Sequence, residues 1–105
     1  MEAAKRVNWT ANALAMVANI FDYFENQSGE HFASAYIDDL LTFGNDLSSK
    51  SLHFSYCRNE KLQAKRYRCA VFRKSYVLIY NENISDVFIL AVLHVKRGPE
   101  IFEQI

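Results

Sequence analysis

Arg66, Arg68, Arg73, Tyr80, His94, Lys96 and Arg97 gather the residue types that could act on a phosphodiester or an acidic surface. Guanidinium forks bind phosphate or carboxylate oxygens in pairs. A histidine or tyrosine can move a proton, and a lysine can hold charge that develops on a phosphorane. In a ribonuclease, Arg68, Arg97 and His94 would form the catalytic set. Arg66, Arg68, Arg73, Lys96, Arg97 and Tyr80 would bind a nucleic-acid backbone or an acidic protein partner. Each has a plainer role. Arg68 could pair with an acid from a helix, and Lys96 and Arg97 could be a solvated strand end. Tyr76 and Tyr80 share a strand face and suit packing, although Tyr80 near a strand end could stack on a base or a partner. His94 shares the parity of Phe88, Leu90 and Val92, a row in which a histidine more often packs than catalyses. His31 and His53 are incidental. No His, Cys or carboxylate set has ligand spacing, so neither metal nor cofactor is implied.

Three strands must position these groups. Residues 67–73 and 75–81 lie so close that only a hairpin can join them. Asn81–Ser85 reads as a longer turn. Residues 87–95 are almost wholly apolar, which predicts a central strand with both faces covered. Upstream, Lys5–Trp9 suits a short strand, and Thr10 can cap the helix that follows. Leu14, Val17, Phe21 and Phe24 fall on one helical stripe, widened by Ala13, Met16 and Ile20. Asn26–Gly29 breaks that helix. A second runs from about Glu30 to Leu47, burying Ala33, Tyr36, Ile37, Leu40, Leu41 and Leu47. Gly44 weakens its end by up to ~1 kcal/mol relative to Ala. The two helices form an antiparallel hairpin. Between 48 and 65 the pattern is faint, with Leu52, Phe54 and Tyr56 alternating and Leu62 anchoring a short helical turn.

The chain has 105 residues, half of them hydrophobic, which suits one domain spanning 1–105. No apolar run reaches the ~18 residues of a membrane span. Met1–Arg6 lacks the apolar stretch of a signal peptide, so a cytoplasmic site is expected. Cys57 and Cys69 are then expected to be free thiols, Cys69 serving as a small apolar strand residue. The net charge of zero conceals a split. Residues 1–47 carry two Lys/Arg against seven Asp/Glu, net −5; residues 48–105 carry ten against five, net +5. A basic sheet that meets an anion or an acidic partner would use that split.

The order β-α-α-β-β-β resembles the RelE/ParE superfamily of toxins from bacterial type II toxin–antitoxin pairs. The resemblance rests on Val7-Asn-Trp9, Ile20-Phe-Asp-Tyr-Phe24, Tyr36-Ile-Asp-Asp-Leu-Leu41, Tyr67-Arg68, Tyr76-x-x-x-Tyr80 and Val92-Leu-His94 followed by Lys96, Arg97 and Pro99. It covers nearly the whole chain, and the long helical hairpin looks more like the ParE side. It implies an α+β fold, a curved antiparallel sheet with the helical hairpin packed on one face. It also implies a cognate antitoxin whose C-terminal segment wraps the toxin as helix and strand. Relatives on the ParE side inhibit DNA gyrase; those on the RelE side cut mRNA in the ribosomal A site. Ribosome-dependent members tend to be strongly basic, and a pI of about 6.8 departs from that pattern. The resemblance therefore favours a protein-binding toxin acting on gyrase or on an unassigned target, with a ribosome-dependent endonuclease as the alternative. A decayed member that keeps only antitoxin binding is the third possibility.

Overall fold

In the computed structural model, residues 4–96 are described. The elements run β1 (Arg6–Trp9), α1 (Ala11–Ser28), α2 (Glu30–Asn45), α3 (Leu47–Lys50), α4 (Glu60–Ala64), β2 (Arg68–Phe72), β3 (Tyr76–Glu82) and β4 (Asp86–His94). Helix α1 starts as its sequence predicts: the Thr10 hydroxyl accepts the Ala13 N–H at 3.1 Å, satisfying an orphan donor. The same hydroxyl donates to the Ile89 carbonyl at 2.9 Å, which ties the helix start to β4. Gly29, at φ 88°, ends α1 and begins α2. A side chain there would find open space but a strained backbone. No helix among the described residues is long and apolar enough to cross a membrane.

The sheet order is β1-β4-β3-β2. The β2-β3-β4 meander is antiparallel, as expected, but β1 pairs parallel with β4, from Arg6↔Asp86 to Trp9↔Ile89. The sheet is therefore mixed. The cause is the path of α2, which returns the chain to the end where β1 began; the Lys5 N–H donates to the Ser48 carbonyl at 2.8 Å. Three alternating strands from that end leave β4 running with β1. The tight β2–β3 turn puts Arg73 and Lys74 at φ 50° and 61°, the left-handed region such turns demand.

One face of the sheet takes the helical hairpin. Leu78, Tyr80, Val87, Ile89 and Val92 pack against Ala13, Val17, Ile20, Tyr36, Ile37 and Leu40. The α1 stripe is rotated from the expected one: Leu14 is 49% exposed, while Ala13 is fully buried and Phe21 and Phe24 lie half-buried at the flank. The Thr10–Ile89 tether sets this roll by turning the small Ala13 toward the strands. Gly44 also has a packing role, since a Cβ there would lie 2.4 Å from the Trp9 ring. The indole N–H donates to Asn45 Oδ1 at 2.9 Å.

While Phe54 packs on the helical side against Phe43, the opposite face is covered by the later part of the faint 48–65 region. Val77, Ile79, Ala91 and Leu93 meet Cys57 and Leu62 there. Asn59 caps α4, its Oδ1 accepting the Lys61 and Leu62 N–H groups. Cys57 and Cys69 form a disulfide, with Cα atoms 5.0 Å apart, which corrects the expectation of free thiols. The hairpin partners of β2 were legible, but the pairing of residues 55–57 with its outer edge was not. That pairing is what brings the two sulfurs together.

Candidate functional site

The basic residues separate to two ends of the sheet. At the end where β1 and β2 begin, Glu82 sits between two cations. Its carboxylate accepts from Lys5 Nζ at 2.9 Å and from Arg68 Nε at 3.0 Å. The three side chains are only 12–14% exposed, so their charges are largely removed from water. Burial pushes the Glu82 carboxyl up. Hydrogen bonds from Ser51 and Lys5, with the charges of Lys5 and Arg68, outweigh it and hold the group below its ordinary value. Arg68 also donates to the Phe54 carbonyl and lies over the Tyr56 ring, 4.3 Å from its centroid.

Tyr80 is directly opposite Arg68 in the hairpin register and is fully buried. Its O–H donates to the Ser51 carbonyl at 2.5 Å. Burial drives the phenol far above its ordinary pKa, with Glu82 adding and Arg68 opposing. Tyr80 is thus a packing residue with no surface to offer a base or a partner, contrary to its expected place in a binding set. Beside this cluster opens a cleft of about 350 Å³ whose walls include Arg66, Tyr56, Leu52 and Ile84. Arg66 is exposed, at φ 60°.

At the other end lie Arg73, His94 and Lys96. Arg73 pairs with Asp39 of α2, both about half exposed, and stacks on the rings of Phe72 and Tyr36. His94 is opposite Tyr76, their rings edge to face at 5.3 Å. Its Nδ1 accepts the Lys96 N–H at 3.1 Å, and the Lys96 side chain is exposed. His94 faces the helical side with Tyr76, Val87, Ile89 and Val92, although its parity is that of Phe88. The reason is a bulge: Tyr80 pairs with Ile89 and Ile79 with Ala91, so Leu90 is an extra residue that reverses the alternation. Arg97, with Gly98 and Pro99, lies outside the described residues.

The sequence-derived set is therefore divided. Arg66, Arg68 and Tyr80 share one end, and Arg73, His94 and Lys96 the other. Their opposite numbers on β3, Tyr80 and Tyr76, are four residues apart, or roughly 13 Å along a strand. Sequence reasoning sought the partner of Arg68 among the helix acids and overlooked Glu82. The available signal was register: Glu82 is two residues beyond Tyr80, on the same face and diagonal to Arg68.

Residues 7–99 match the family described as the ParE toxin of the type II toxin–antitoxin system parDE. No curated protein matches the chain significantly. Among solved structures, a chain from the chromosomal ParDE toxin–antitoxin system of P. aeruginosa superimposes with a TM-score of 0.76. It is 17% identical, and the match covers 90% of this chain and 100% of that one. At that identity the likeness is one of fold, a helical hairpin against an open mixed sheet. With the family's pattern running through nearly all of its length, this chain belongs to the ParE toxins of type II toxin–antitoxin systems.

Proposed function

We propose that this chain arrests growth by binding a protein target in the cytoplasm, DNA gyrase being the expected one, and that a cognate antitoxin neutralises it. The observation that carries this reading is how the polar groups are used. A ribonuclease must bring a phosphate-binding cation and a proton-transfer group to one scissile phosphate. Here Arg68, the cation expected to bind the phosphate, holds Glu82 and the Phe54 carbonyl at one end; at the other, His94 packs edge to face on Tyr76 and its Nδ1 is taken by the Lys96 N–H. A protein-binding toxin has no such requirement, since complementary surface suffices. The exposed cations Arg66, Arg73 and Lys96, with Arg97, would meet an acidic antitoxin segment at its rim.

Pulse-labelling after induction tests the target. Early loss of DNA synthesis with an SOS response is expected. Early loss of translation with cleaved mRNA would replace this reading with the endonuclease. For the partner, an Arg66→Glu/Lys96→Glu/Arg97→Glu variant should bind its antitoxin more weakly and with altered salt dependence. Unchanged affinity would move the interface away from these cations.

A further inference from the structure

We propose that the Cys57–Cys69 disulfide is a reversible latch, opened by a dithiol reductant, that holds residues 55–67 over the second face of the sheet. Two backbone hydrogen bonds flank the disulfide. The Cys57 N–H donates to the Tyr67 carbonyl at 2.9 Å, and the Cys69 N–H donates to the Ser55 carbonyl at 3.3 Å. Leu62 supplies the main apolar anchor, buried against Val77, Ile79, Ala91 and Leu93. The helical hairpin packs on the other face and does not depend on this bond. A chain expected in a reducing compartment, with a disulfide joining a loop to an edge strand, fits the redox-sensing class of intracellular disulfides.

The exchange balances without any further reactant. Cys69 is partly exposed on the outermost strand, whereas Cys57 is 2% exposed. A reductant thiolate attacks Sγ of Cys69, and the Cys57 thiolate leaves and takes a proton. The second thiol of the same reductant then closes on the mixed disulfide and releases Cys69. Two electrons and two protons pass to the protein, and the reductant leaves as its own disulfide.

Opening the latch changes the site as well as the cover. Tyr56, whose ring lies against the Arg68 guanidinium, belongs to the latched segment, whereas Phe54 is held by its own packing on Phe43. In the reduced state Arg68 keeps Glu82 and the Phe54 carbonyl but loses the Tyr56 ring, and the outer edge of β2 loses the strand segment that occupies it. Thiol chemistry is thereby coupled to the availability of one guanidinium and one sheet edge.

Hydrogen exchange followed by mass spectrometry tests this on the full chain. The samples are the air-oxidised protein, the same protein in dithiothreitol, and Cys57→Ser/Cys69→Ser. Reduction should speed exchange across 55–69 by about 100-fold, the scale set by closing a short loop. Peptides from α1, α2, β3 and β4 should be unchanged. The double variant should match the reduced state with or without dithiothreitol, and oxidised glutathione should restore protection to the wild type alone. If the double variant does not fold, the reduced wild type still decides the question. The proposal is overturned by equal exchange in both redox states, by acceleration spread over the whole chain, by protection that does not return, or by an oxidised sample whose mass includes two free thiols.

Discussion

The two ends of the sheet carry similar cations and treat them differently. At the β2 start, Lys5 and Arg68 close on one carboxylate, and the three side chains are nearly out of water. At the β2–β3 turn, Arg73 reaches Asp39 from an exposed position, and the Lys96 side chain lies in solvent. Buried charges need their partners, because a lone charge cannot be rehydrated there; exposed ones exchange a partner for water at little cost. The buried Lys5–Glu82–Arg68 cluster at the first end therefore belongs to the fold. The second end keeps its cations in solvent.

Substitutions at the two ends should separate accordingly. The largest loss is expected from Tyr80→Ala, which removes a fully buried ring and the donor to Ser51. It should cost about 3–5 kcal/mol in urea unfolding. Glu82→Gln comes next, at about 2–3 kcal/mol, since it leaves Lys5 and Arg68 facing each other across a neutral group. A loss below about 0.5 kcal/mol would mean that water reaches this cluster and that the two ends are alike.

The pH dependence sharpens the same contrast. The folded pKa of Glu82 lies below its unfolded value. Its contribution is thus fully present above the unfolded pKa and disappears as the pH falls through the folded one. Thermal unfolding below about pH 4.5 should show this loss in the wild type and a shallower slope in Glu82→Gln. Arg73→Ala should change stability by less than about 0.5 kcal/mol. Smallest of all, His94→Gln should leave growth arrest intact when expressed without antitoxin, with its Tm near that of the wild type. Clean loss of toxicity at an unchanged Tm would make His94 a participant in the chemistry.

Local signals were legible and long-range pairings were not. Thr10 and Gly29 announced the limits of α1 because caps and left-handed turns depend on the residues themselves. Leu62 marked α4, and the apolar run of β4 marked the central strand, because burial on both faces leaves no alternation to misread. The roll of α1 was hidden, since the Thr10–Ile89 bond that turns Ala13 inward joins positions 79 apart. The side taken by His94 was also hidden, because one bulged residue reverses a strand's alternation without altering its composition. The site suffered most. Its key carboxylate, Glu82, is picked out by β3 register and by a contact with Lys5 across 77 positions. The partner of Cys57 likewise follows from a sheet-edge pairing that no spacing rule supplies.

The parallel pairing of β1 with β4 has a consequence for synthesis. The four residues that open the sheet at Arg6 find their partners only at Asp86–Ile89. A chain growing from its N-terminus must make both helices and the whole meander before that first strand can dock. Until then the strand waits as an open edge, the kind of late, distant contact that slows folding. Ribosome-bound chains halted before residue 86 should therefore leave Arg6 open to trypsin, and chains halted well beyond His94 should protect it. Of the described elements, the first to be translated would be among the last to fold.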